Sequence, residues 1–445
     1  MMKKHLLAIS AAAVLLAPQA VGAEGFSINE WSAEGFAMGG ARMFAENDAA
    51  NMAYNPASLT KIKGEVAKIS ATYISPHGKY KCYTDKYGSE MEIPSQMGGT
   101  GHNRVHPAWV PGSYYAKQLN DKEFIGLGAY SRFGNSCQFV PGSLPGVNNT
   151  SAKVNGMSVG VNYAKKLDNK WSASLGAEVN YAWLQMDKTA PFLVDSTKYS
   201  PDQKMQVEGE SYALGWNAAA NYAFDDKNEF GIVYRSAVNH SMEANVRDKM
   251  MYASVNQGIF DKYGVMGDFT PFTDAYGCVT LPESVMIGYG HKFNDKTRVE
   301  LNGTWTRWSR FNALNMTFTD GNGKSYDHPD AKNWKDGWRY AIGIEHKLSD
   351  KYSLLGGIAY DESGIPDYYG EGSVEGADFM VPTGTRTTFT IGTQYHDDRQ
   401  TLALAIGYMK VGDLFIEPEE SGAYSRAKMY DSYTKLVSIS YQYNF

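Results

Sequence analysis

Apolar and polar residues alternate along much of this chain with a period of two, the mark of strands whose two faces meet different media. Near the end, Val437, Ile439, Tyr441, Tyr443 and Phe445 share one parity, while Ser438, Ser440, Gln442 and Asn444 share the other. Trp171, Ala173, Leu175, Ala177, Val179, Tyr181 and Trp183 stand likewise against Ser172, Ser174, Gly176, Glu178 and Asn180. Leu402, Leu404, Ile406 and Tyr408 repeat the pattern, as do Phe230, Ile232 and Tyr234. Six short turns punctuate these runs: Asn120-Asp121-Lys122, Asp168-Asn169-Lys170, Asp225-Asp226-Lys227, Asn294-Asp295-Lys296, Ser349-Asp350-Lys351 and Asp397-Asp398-Arg399. Asn and Asp tolerate positive φ and accept hydrogen bonds from their own backbone, so they join antiparallel strands tightly. Between successive turns there is room for two strands and a loop. Six turns close twelve strands and one strand remains at each end, which predicts fourteen. Short turns alternating with long loops predict a transmembrane β-barrel, turns toward the periplasm and loops outside.

The predicted strands lie near 65–75, 108–119, 122–134, 153–167, 171–186, 207–224, 228–243, 281–293, 297–310, 336–348, 351–362, 383–396, 399–412 and 430–445. The long outer loops then fall at 76–107, 135–152, 187–206, 244–280, 311–335, 363–382 and 413–429. A water-soluble β-sandwich would also alternate, but it has no use for aromatics at both strand ends. Residues 1–23 carry Lys3 and Lys4, an apolar run from Leu6 to Ala17, and Val21-Gly22-Ala23, the layout of a secretory signal. No later stretch approaches the roughly 20 consecutive apolar residues of a spanning helix. With 31 Tyr, 45 Gly, 9 Trp and 3 Cys, the composition suits strands with aromatic girdles rather than a disulfide-stapled secreted domain. A net charge of −6 argues against a nucleic-acid partner. These features predict an outer-membrane location.

Residues 24–64 precede the first strand of a barrel spanning 65–445 and need a place. They are rich in Gly and Ala yet hold Phe26, Trp31, Phe36, Phe44 and Tyr54. Fourteen strands enclose more space than their own side chains fill, so this segment is expected to be a partly helical plug, or hatch, inside the lumen. Gly39-Gly40 extends to no phosphate-binding pattern. His102 and His106 stand in a loop leading to Pro107, a poor metal pair. No Ser-His-Asp grouping assembles on neighbouring positions, which argues against an enzyme. No cofactor is expected.

Tyr54-Asn55-Pro56-Ala57-Ser58-Leu59, following Ala45-Glu46-Asn47-Asp48-Ala49, resembles the hatch signature of the FadL family of outer-membrane long-chain fatty acid transporters. Leu281-Pro282-Glu283-Ser284, the run Trp305 to Phe311, the run Asn333 to Arg339, and Ile365-Pro366-Asp367 resemble that family's strand-end motifs. The likeness spans about residue 26 to Phe445. It implies a luminal hatch containing Asn55, Pro56 and Ala57, an outer hydrophobic groove, an inner ligand pocket, and a wall gap at a kinked third strand near Phe133 and Gly134. Cys82 and Cys137 depart from the family pattern; lying on the first two loops of a surface exposed to oxidising conditions, they are expected to pair.

The resemblance implies uptake of a long-chain fatty acid or other hydrophobic small molecule, with release to outer-membrane lipid; a monomer is expected. A long tail gains about 0.8 kcal/mol per buried CH₂, so it needs an apolar path. Phe192, Leu193, Met250, Met251, Phe260, Met266, Phe269 and Phe272, on two outer loops, either form that ligand groove or pack the loops as a lid. Parity turns Arg132, Arg235, Arg339 and Arg386 inward, as partners for a carboxylate headgroup or for inward Glu178, Glu300 and Glu345. The rival readings are uptake of aromatic or aliphatic hydrocarbons, a surface antigen or adhesin on a barrel platform, and a general diffusion porin.

Overall fold

Each of the six short turns is closed by its own first side chain. Asn120 Oδ1 accepts from the N–H groups of Lys122 and Glu123 at 2.9 and 3.0 Å, and Asp168 from Lys170 and Trp171 at 2.7 Å. Asp225, Asn294 and Asp397 repeat the arrangement at 2.8–2.9 Å. Ser349 Oγ does so more weakly, at 3.3 and 3.2 Å. None of them uses positive φ, which among described non-glycine residues occurs at Asn47, Asn333 and Asp431. The turns therefore rest on side-chain acceptance, not on a left-handed backbone.

The computed structural model describes residues 25–86, 89–105, 107–141, 143–195, 198–250, 272–418 and 423–445; the expected signal lies outside them. Fourteen antiparallel strands follow: β1 (Glu65–Lys86), β2 (Ala108–Gln118), β3 (Glu123–Tyr130, resuming at Gly134–Gln138), β4 (Ser151–Lys166), β5 (Trp171–Asp195), β6 (Lys198–Ala223) and β7 (Asn228–Arg235, resuming at Val238–Met250). The rest are β8 (Phe272–Leu281, resuming at Ser284–Lys292), β9 (Thr297–Thr306), β10 (Gly337–Lys347), β11 (Tyr352–Asp361), β12 (Arg386–His396), β13 (Gln400–Val411) and β14 (Arg426–Asn444). Each pairs with its sequence neighbour, and β14 closes on β1 from Val66↔Asn444 to Tyr83↔Arg426. The sheet thus closes on itself into a ring.

Several strands run on where loops were expected. Much of 187–206 is a continuation of the β5–β6 hairpin, and parts of 244–280 belong to β7 and β8. Backbone pairing is indifferent to what bathes the outer face, so the ladder continues after that face turns polar. On β7 the outward row passes from Phe230 and Ile232 to exposed Asn239, Ser241, Glu243 and Asn245, which places the second segment beyond the lipid belt. Within the belt the outward residues are bare: Leu214 is 80% exposed and Leu175 63%. Such a surface is stable against lipid and aggregates in water.

Residues 25–64 form α1 (Ala33–Ala37), α2 (Asn51–Tyr54) and a 3₁₀ turn (Pro56–Lys61). Ser32 Oγ caps α1 by accepting from Gly35 N at 3.1 Å, and Asn55 Oδ1 caps the 3₁₀ turn by accepting from Ala57 N at 3.1 Å, with Pro56 opening it. The segment bonds to polar-parity residues around the ring. Ala33 N donates to Ser440 Oγ at 2.7 Å, Met43 N to Glu300 Oε2 at 2.6 Å, and Thr390 Oγ1 to Ala37 O at 2.8 Å. Lys68 of β1, 1% exposed, pairs with Glu34 at 2.9 Å and Asp48 at 2.6 Å. Gly357 of β11 allows the closest approach, since a Cβ there would lie 2.2 Å from Gly39 N.

Candidate functional site

The third strand breaks after Tyr130, and the backbone of residues 26–28 fills the break. Ile28 N donates to Arg132 O and Gly134 N to Phe26 O, both at 2.8 Å, around an antiparallel bridge between Ser27 and Phe133. On its other side β4 keeps only one bond, from Gly156 N to Phe133 O at 3.1 Å. The β2–β3 ladder ends at Gly112↔Tyr130, while Ala108 to Pro111 pair with β1 alone among described residues. Pro111 has no N–H to offer. The wall is thus unpaired between upper β2 and the second segment of β3.

An aromatic cluster holds the inserted segment. Phe26 meets Trp308 at 4.9 Å, Phe311 at 5.5 Å, and Phe133 and Trp334 at 6.0 Å between ring centroids. Gly25 lies beneath them at φ +66°; a Cβ would sit 2.5 Å from Trp334 Cζ3. Beside the cluster a narrow cavity is lined by Phe26, Leu184, Met242, Leu281, Met316 and Trp334 among others. Its few polar groups are His240, Asn135, and a buried Lys332 that donates to Asp378 Oδ2 and, at 2.7 Å, to Asp330. Neither His240 ring nitrogen has a hydrogen-bond partner among the described residues. Its segment lies above the lipid belt, and burial alone pushes the imidazole down to about 4, so it is neutral.

The sequence profile of a family described as Outer membrane protein transport protein (OMPP1/FadL/TodX) matches residues 13–445. The chain belongs to this family. It is 26% identical over 439 residues to Outer membrane protein P1 of Haemophilus influenzae, covering 92% of this chain and 90% of that one. The Long-chain fatty acid transport protein of Escherichia coli K12 is 25% identical over 437 residues, covering 90% and 91%. In fold, a Pseudomonas aeruginosa FadL homologue superposes with a TM-score of 0.79 at 18% identity, over 95% of this chain and 100% of that one. The Ralstonia pickettii toluene transporter TbuX follows at 0.63 and 16%, over 95% and 99%. The protein is therefore a FadL-family outer-membrane barrel, in a family of transport proteins and not of enzymes.

Within this FadL-family barrel all four expected arginines are buried, and each is engaged. Arg235 donates to Tyr130 Oη at 2.7 Å, Glu178 at 3.2 Å and Ala53 O at 2.6 Å. Arg339 pairs with Asp361 at 2.8 Å and donates to Gly39 O, and Arg386 donates to Thr383 Oγ1. Arg132 is held most loosely, 3.7 Å from Glu178 and with its guanidinium over the Phe133 ring at 5.3 Å. Of the other inward acids, Glu300 and Glu345 pair with Arg298, at 2.7 and 3.0 Å. Asn55 also donates to Asn221 Oδ1 at 2.6 Å, tying the 3₁₀ turn to β6.

The expected loop groove is only partly placed. Phe192 and Leu193 lie on β5 opposite Ser200 and Tyr199, and Met250 on β7 opposite Gln203, so these three belong to strand extensions. Phe272 opens β8 and packs on Phe318 and Tyr326 at 5.3 and 5.6 Å. Met251, Phe260, Met266 and Phe269 lie outside the described residues. The expected pairing of Cys82 and Cys137 is corrected: both are free thiols buried among the apolar residues that cap the barrel, and burial pushes both up, out of the reactive range. The residues missed were His240 and Lys332. His240 was detectable as the one polar side chain in the inward row Val238, His240, Met242, Ala244.

Proposed function

We propose that the protein takes up a long-chain fatty acid or a similar hydrophobic ligand through the outer membrane and releases it sideways through its own wall. The observation that carries this reading is the break in β3, bridged by residues 26–28 of the amino-terminal segment and bordered by the apolar cavity. Residues 24–64 act as the hatch, with Asn55, Pro56 and Ala57 in its fixed part. A ligand entering the cavity displaces Phe26 from the cluster that seats it, the bridge to Phe133 and Gly134 opens, and the tail passes between β2 and β3. Release into hydrocarbon spares the roughly 0.8 kcal/mol per CH₂ that release into water would cost. The hatch is the two-state element, and the ligand biases it by binding the open state better.

The name of the E. coli relative supports a fatty acid. The nearly polar-free cavity lining and the fold shared with toluene transporters support the second reading, a hydrocarbon. For a carboxylate, Arg132 and Arg235 offer two cations to the single Glu178 beside the break, so a passing headgroup meets net positive charge. Phe192, Leu193, Met250, Met251, Phe260, Met266, Phe269 and Phe272 gather the ligand before it enters. Lateral exit is tested by an engineered disulfide joining upper β2 to the second segment of β3. Binding of labelled oleate should persist while cellular uptake falls severalfold and recovers on reduction; full-rate uptake with the cross-link verified would overturn it.

A further inference from the structure

His240 is 1% exposed, lines the apolar cavity, and keeps both ring nitrogens without a hydrogen-bond partner among the described residues. A buried polar group left unpaired is costly, and native interiors rarely tolerate one without a purpose. Every other inward residue of this β7 segment, from Val238 to Val246, is apolar. The cavity therefore carries a single unsatisfied polar contact set in a greasy wall. Its charge balance adds a second constraint. Lys332, the only cation among the lining residues, is already engaged by two carboxyl groups, Asp330 and Asp378, so it is not free to receive an anionic head.

We propose that His240 is the polar contact of the bound ligand, and that the head it receives is uncharged: a hydroxyl or a protonated carboxyl on a long apolar chain. This deepens the transport reading and rests on the cavity being the ligand site. A neutral imidazole offers one N–H donor and one acceptor nitrogen, which a hydroxyl or a carboxylic acid can match with an acceptor and a donor of its own. A pure hydrocarbon leaves both nitrogens unpaired. An ionised carboxylate can use only the N–H, and it meets the carboxylates beside Lys332.

Trp334 lines the cavity, so in the full-length, detergent-solubilised protein the share of quenching by brominated ligands that is lost on Trp334→Phe reports entry. The probes are 11-bromo-1-undecanol, 1-bromoundecane and, at pH 8, 11-bromoundecanoate. The alcohol is expected to bind about tenfold tighter than either of the others, the worth of one ordinary hydrogen bond. His240→Leu should abolish the preference for the alcohol over the alkane while alkane binding persists, and His240→Gln, which keeps a donor and an acceptor, should restore most of it. A preference unmoved by His240→Leu overturns the inference alone, as does undecanoate binding as tightly as the alcohol. Trp334-dependent quenching by all three probes that survives Met242→Phe, which narrows the cavity, overturns the cavity as the ligand site and the inference with it.

Discussion

Arg235 joins three parts of the molecule through one guanidinium. It bonds to Tyr130 at the end of the intact part of β3, to Glu178 on β5, and to the carbonyls of Met52 and Ala53 in α2. Arg235→Ala removes the closer of the two cations beside the buried Glu178 and a donor to two buried carbonyls, and leaving buried acceptors without their donor costs about 1–3 kcal/mol. The expected outcome is faster hydrogen exchange across 51–54 and a lowered unfolding midpoint, read by exchange mass spectrometry and denaturant titration. Unchanged exchange in α2 would show that the guanidinium does not hold it. Parity was enough to turn Arg132, Arg235, Arg339 and Arg386 inward, because strand period is a local property. Their partners were not legible. Asp361 faces Arg339 only through the β10–β11 register, and the carbonyls of α2 reach Arg235 across more than 180 residues of chain.

At the scale of elements, the turns were readable because each is closed within four residues, and strand number followed from them. The extents of the strands were not, because an extension beyond the lipid belt loses the apolar parity that marks a spanning segment while keeping its backbone ladder; β7 beyond Val238 is the case in point. The loops over the outer mouth add a titratable contact. Gly376 N donates to Glu417 Oε2 near Asp378. Burial, with Asp378 and Glu375 adding repulsion, raises the Glu417 carboxyl from its ordinary 4.5 to about 7. Between about pH 4.5 and 7 the folded loop holds a proton that the unfolded loop has released, so loop stability falls as pH rises through that window and levels off above it. After correction for chemical exchange rates, the amides around Gly376 should be better protected at pH 5 than at pH 8, and Glu417→Gln should flatten the difference. Protection that rose with pH would contradict the assignment.

For the whole molecule, the decisive relation is between the barrel and the segment before it. Period and turn chemistry specify a fourteen-stranded ring, and a ring of that size encloses more volume than its side chains fill. How the segment bonds to the ring was not legible, since the partners are buried charges scattered along the chain. Lys68 meets Glu34 and Asp48, Arg42 meets Glu345, Lys61 meets Glu229, and Arg298 donates to Phe44 O. Such pairs are expensive to bury, and they contribute more to fixing one seating of the segment than to net stability. Deleting residues 25–60 should therefore have two effects at once. The barrel should still insert, because its closure from β1 to β14 involves no residue before Glu65, yet it should conduct ions steadily in a planar bilayer where the full chain does not. It should also unfold at a lower temperature, because Lys68 loses Glu34 and Asp48 and Arg235 loses the two carbonyls of α2. A truncated barrel with no greater conductance than the full chain would mean that strands and outer loops alone close the lumen, and that residues 24–64 are not the gate.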